Sequence, residues 1–151
     1  MGYFLEKDMA VLEARIQETI EKLRKVGTEL RTAVTQSSET WHDNFGFENA
    51  QQQARLLGQR LQDLEHIRKN ATIIPLPKNV ITVAIGHTVT VRDLETNSIQ
   101  TFQIGSHITF TKNTISYASP LGALFLGKGI GQQIKGMIGS KEREFKVIEI
   151  W

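Results

Sequence analysis

From Leu5 to Ala33 the apolar residues recur in alternating steps of four and three. They fall at Leu5, Met9, Leu12, Ile16, Leu23, Val26, Leu30 and Ala33, with Thr19 in the one gap. This is a heptad seam, the spacing that holds one stripe of a helix against a partner helix. The intervening Glu, Lys, Arg and Gln are good helix formers suited to a solvated face. A second seam follows at Ala50, Ala54, Leu57, Leu61 and Leu64. A helix of 30–35 residues would be on the order of 50 Å long, and its stripe needs a partner. The second seam supplies one through a short connector, which predicts an antiparallel hairpin; dimerisation through the first helix is the alternative.

"ATIIPLPKN" breaks the helical period, because Pro75 and Pro77 cannot continue a helix and bias their predecessors towards extended geometry. The domain boundary is therefore set here, with a hairpin over 1–74 and a second domain over 75–151. Beyond it the period changes to two. "VITVAI", "TVTVRDL", "IQTFQIG", "HITFT", "TISYAS" and "EFKVIEI" read as strands, with turns at "TNS", "KN" and "GSK". "SPLGALFLGKG" interrupts them as one short helix, with Ser119 as N-cap and Pro120 at the first helical position. The fold class is α+β: a helical hairpin followed by a β-rich domain carrying one helix.

The connector between the seams, "TWHDNFGFENA", carries Trp41, Phe45 and Phe47 interleaved with Asp43 and Glu48. A tip over about residues 40–49 should be small and polar. The three aromatics either fold back to cap the seam or serve as contact residues for a partner. Gly46 is read as the point of a sharp reversal between the two phenylalanines.

Composition narrows the function. The 151 residues carry a net charge of only +2 and no cysteine. A concentrated basic face for naked nucleic acid is not indicated, and sequence-specific DNA binding is not expected. Disulfides and thiolate metal sites are excluded. No apolar run approaches membrane-spanning length, and "MGYFLEKDMA" has no signal-peptide core, so the expectation is a soluble cytoplasmic monomer with no membrane partner. "GALFLGKG" approaches a phosphate-binding loop, but Gly129 stands where a Ser or Thr should hold magnesium, and "ALFL" is apolar. His42, His66, His87 and His107 show no ligand spacing, and no resident metal or other cofactor is expected.

Three blocks of the second half, "GHTVTVRDLETNSIQTFQIG", "ISYASPLGALFLGKGIGQQI" and "REFKVIEI", resemble the Gre family of bacterial transcript-cleavage factors. The resemblance covers nearly the whole chain, and its most specific piece is Ser119–Lys128. It implies an N-terminal antiparallel coiled coil and an FKBP-like C-terminal domain, without prolyl isomerase activity. It further implies an elongation regulator that binds RNA polymerase and inserts the coiled coil into the secondary channel. There the tip carboxylates would stimulate cleavage of backtracked RNA, with the nascent RNA 3′ end touched only indirectly. The protein would not be an enzyme by itself. Asp43 and Glu48 would assist in trans by sharing a magnesium ion of the polymerase site. Trp41, Phe45, Phe47 and Asn49 at the tip, and Ser119, Pro120, Leu121 and Gly122, are the candidate partner contacts. The family tip reads "GDLSENA", with its acids three apart. Here "HDNFGFENA" keeps Glu48-Asn49-Ala50 and places Asp43 five residues before Glu48. A non-cleaving or inhibitory relative remains the alternative, and a chaperone-like module using the aromatic tip is a second one.

Overall fold

The computed structural model describes residues 2–37 and 45–151, with side chains over 2–32 and 46–151. The element order is β1 (Gly2–Leu5), α1 (Glu6–Ser37), α2 (Phe45–Lys69), β2 (Ala71–Ile74), β3 (Thr88–Asp93), β4 (Ile99–Gly105), β5 (Thr114–Ser116), α3 (Pro120–Phe125), β6 (Gln133–Ile138) and β7 (Lys141–Ile150). Contacts divide the chain into two compact units. One is Ala10–Asn70; the other joins the residues up to Met9 with Ala71–Trp151.

In the helical unit the expected seam is buried. Leu12, Ile16, Thr19 and Val26 of α1 and Ala50 and Leu64 of α2 are all removed from solvent. Thr19 fits this stripe because its hydroxyl donates to the Arg15 carbonyl one turn back, at 2.8 Å, and so presents its methyl group without an unpaired polar atom. Arg68 reaches Glu13 at 3.1 Å, while Val26 shares a groove with Leu56 and Leu57. Rising numbers on one helix meet falling numbers on the other, so the two run antiparallel.

The second unit holds a five-stranded sheet in the order β5-β4-β3-β7-β6. All neighbours are antiparallel except β4 and β5. One face packs on α3 around Phe125, whose ring lies 5.5 Å from those of both Phe102 and Phe145. Val89, Val91, Ile104, Ile134 and Val147 complete this core. The three turn signals appear as left-handed residues, Asn97 (φ 60°), Asn113 (φ 61°) and Gly139 (φ 64°). The α3 cap also forms as expected: Ser119 Oγ accepts from Gly122 N–H at 3.1 Å, with Pro120 in the first turn. An apolar helix in contact with the core leaves no loop of free amides for a phosphate.

Several expectations are corrected. Leu5 is not the first seam residue of α1 but lies buried in β1, which pairs in parallel with β2 from Gly2↔Ala71 to Leu5↔Ile74. The other edge of β1 is occupied as well. The Tyr3 carbonyl accepts from His107 N–H at 2.9 Å, and Leu5 N–H donates to Ser106 Oγ at 2.9 Å. These bonds draw Gly2–Leu5 and Ala71–Ile74 into the second unit, so the contact boundaries fall at Met9 and Ala71, whereas the sequence reading drew one boundary at residue 75. "VITVAI" is not a strand; it makes one isolated bridge, Thr82↔Gly129. "HITFT" likewise forms no strand, and β6, unanticipated, does. Gly136 hides β6 from a propensity reading, yet a Cβ there would lie 2.4 Å from the Leu124 side chain, so the glycine is what lets α3 approach the sheet.

Asp93 closes the β3–β4 turn from a buried position. Its carboxylate accepts from Glu95 N–H at 2.9 Å and from the Arg143 guanidinium, which also stacks 5.2 Å above the Phe145 ring. The Arg143 bond, followed by the Glu95 amide, holds the Asp93 carboxyl below its ordinary value. A carboxylate depressed in the folded state contributes stability above the ordinary carboxylate range and loses it as pH falls through the lowered value. Urea midpoints from neutral pH to about pH 3 should therefore fall more steeply for the natural chain than for Asp93→Asn; parallel curves would refute this.

Glycine substitutions should split by location. Gly122→Ala would place Cβ 2.0 Å from the Ser116 carbonyl oxygen, whereas Gly27 and Gly58 face open space. Gly122→Ala should cost more than about 2 kcal/mol. Gly27→Ala and Gly58→Ala should each add roughly 0.5–1 kcal/mol to the helical unit. Denaturant titration followed by circular dichroism distinguishes the two classes.

Candidate functional site

The site built by the hairpin lies where α2 begins. Phe45 opens the helix, so Phe45, Gly46 and Phe47 form its first turn, and no reversal occurs at Gly46. The correction has a physical source. Phe47 precedes Ala50 by three residues and extends the seam rhythm by one step; it is half-buried. The seam itself thus favours continuing the helix back through the glycine, and that extra step was the signal available in the sequence.

Glu48 is exposed in this first turn, and Asn49 beside it is exposed too. A carboxylate there complements the unpaired amides at the helix N-terminus. Glu48 shares a polar surface with Gln51, Gln52 and Arg55. At 1.5 Å per residue, the 32 residues of α1 span about 48 Å. The antiparallel register therefore puts Glu48 at the end of the hairpin remote from the start of α1. Trp41 and Asp43 lie outside the described residues, as does the Phe45 side chain, so Glu48 is the one candidate metal ligand the structure positions. Among the described residues, no three His, Asp or Glu side chains gather into a metal site.

The other candidate contacts sit on α3. Ser119 is engaged as the cap and also donates to the Ser116 carbonyl at 2.7 Å. Leu121 packs on the core, and Gly122 is buried against Ser116. Pro120 alone of the four is exposed. Three of these residues therefore have partners inside the fold. No described helix is long and apolar enough to cross a membrane.

Comparison with known proteins adds the family. A family model described as "Transcription elongation factor, GreA/GreB, C-term" matches residues 78–151. Transcription elongation factor GreA of Rhodospirillum rubrum is 30% identical over 146 residues, covering 89% of this chain and 91% of that protein. GreA of Thermotoga neapolitana is 28% identical over 138 residues, covering 89% and 88%. Among solved structures, GreA factor homolog 1 of Thermus thermophilus matches with 24% identity and a TM-score of 0.46, over 99% of this chain and 97% of that one. With the Rhodospirillum relative matched along nearly its whole length, this chain belongs to the GreA/GreB family of transcription elongation factors.

Proposed function

We propose that the protein binds RNA polymerase in the cytoplasm, inserts its helical hairpin into the secondary channel and stimulates cleavage of backtracked RNA by the polymerase. The observation that carries this reading is Glu48, an exposed carboxylate held at the far end of a hairpin about 48 Å long. Family membership supports it. A magnesium ion shared at the polymerase centre would polarise water for phosphodiester hydrolysis, and hard oxygen donors such as Glu48 and Asp43 are the ligands that ion accepts. The chain's own contribution is to carry Glu48 on a helix whose rotation is set by the seam. Ala50 is buried two residues later, so Glu48 cannot turn inward without exposing it. Asn49, at the adjoining exposed position, and Pro120 on the β-rich unit are the accessible candidates for contacts with polymerase.

One observation favours a second reading, a channel factor that binds without promoting cleavage. Two phenylalanines occupy the same helical turn as Glu48, where a relative with the shorter "GDLSENA" tip has none. Bulk beside the carboxylate would then obstruct the centre.

A stalled, backtracked elongation complex separates the two. The natural protein should accelerate release of the RNA 3′ fragment, and Glu48→Ala should reduce that acceleration at least roughly tenfold. Slower cleavage on adding the natural protein would support obstruction. Acceleration that survives Glu48→Ala would remove the assignment of Glu48.

A further inference from the structure

Gly27 and Gly58 stand inside the two helices of the hairpin, where glycine is a poor helix former. Packing does not account for them. A Cβ at Gly122 or Gly136 would collide with a neighbour, but a Cβ at Gly27 or Gly58 would meet nothing within 4 Å. Each directly follows a seam residue, Val26 in α1 and Leu57 in α2. They also share a level. The Arg68–Glu13 bond and the groove shared by Val26, Leu56 and Leu57 set the register, which puts Gly27 opposite residues 54–56. Gly58 is therefore only about 3–6 Å further along the arm, within one helical turn.

The seam thins at this level. Leu12 and Ile16 are fully buried nearer the base, whereas Leu23, Leu57 and Leu61 are partly covered and Leu56 is exposed. An open groove follows one flank there, between Lys22, Lys25 and Val26 on one helix and Gln53, Leu56 and Leu57 on the other. At about 100° per residue, both glycines turn towards the opposite flank. Thr28, beside Gly27, donates its hydroxyl to the Arg24 carbonyl at 3.2 Å, and Thr32 donates to the Thr28 carbonyl at 3.1 Å. Back-bonds of this kind weaken a helix slightly and bend it.

We infer that Gly27 and Gly58 form a bending joint within the hairpin. The arm bends towards the groove, where space is open. The glycines then lie on the convex flank, where the missing side chains let water reach carbonyls whose helical bonds lengthen. Glu48 stands about 15 Å beyond Gly58 along α2, so a bend of about 20° carries it about 5 Å sideways. The use of this motion rests on the channel reading: it swings Glu48 towards or away from the shared metal while the base of the arm stays in place.

The chain has no cysteine, so pairs of spin labels can be attached at introduced cysteines and their separations measured by pulsed electron resonance on the full-length protein. Labels at the exposed positions of Gln52 and Glu65 lie on either side of Gly58. Their distance distribution should be at least about twice as wide in the natural background as in Gly27→Ala/Gly58→Ala. Labels at Ala10 and Glu21, both short of Gly27, should give the same width in the two backgrounds. The double variant should melt at a higher temperature, so any loss of function is not a loss of folding. In the backtracked complex it should slow the acceleration of cleavage about fivefold or more at unchanged affinity for polymerase. If the Gln52–Glu65 widths match, or the Ala10–Glu21 width narrows equally, the glycines are no joint and the inference falls. If only the Gln52–Glu65 width narrows and the natural protein does not accelerate cleavage, the joint stands and the cleavage reading falls. If that width narrows and the double variant cleaves as the natural protein does, the joint stands and its use in positioning Glu48 is wrong.

Discussion

The antiparallel seam is the interaction on which the rest of the helical unit depends. A 32-residue helix with one apolar stripe has no stable isolated form in water, because propensity alone does not offset the exposed stripe. Pairing Leu12, Ile16, Thr19 and Val26 with the stripe on α2 resolves that, and it also fixes rotation. Once Ala50 and Leu64 face inward, the outward residues follow by geometry. Glu48 is carried outward at the far end, and Lys22, Lys25 and Leu56 are carried to one flank. The same packing that stabilises the hairpin therefore decides which chemistry it displays.

The second unit relies on close approach of backbone. Gly122 sits against the Ser116 carbonyl and Gly136 against Leu124, so α3 lies nearer the sheet than side chains would otherwise permit. Phe125 then reaches both Phe102 and Phe145. At the sheet's other end Asp93 combines three tasks: it accepts turn amides, holds Arg143, and through Arg143 covers the Phe145 ring. The Ser119–Gly122 stretch is thus committed to cap and packing geometry within this unit.

Features set by local chemistry were legible in the sequence. Ser119-Pro120 is a cap because a hydroxyl and a fixed φ suffice, and Asn97, Asn113 and Gly139 mark turns because few residues tolerate positive φ. The seam was legible because its period repeats. What escaped was set by distant partners. "VITVAI" has strand composition, yet its neighbours offer it only the Thr82–Gly129 bridge. Leu5 keeps the heptad step, but Ser106, a hundred residues away, takes its amide. At the tip, Gly46 reads as a break by propensity, at a cost of about 1 kcal/mol, yet the helix runs through it to half-buried Phe47 and buried Ala50. Glu48 was legible as a candidate.

The pairing of β1 with β2 alters how the chain can be divided. The β-rich unit is assembled from two stretches that lie on either side of the helices in the sequence. Topologically, then, the helices are an insertion between Met9 and Ala71 rather than a leading module joined end to end. A fragment starting at Pro75 would keep the five-stranded sheet but lose Phe4 and Leu5, leaving Ser106 without the amide it binds. Exchange of helical arms between relatives would accordingly need two splice points instead of one, both placed inside the strands' connections to the helices.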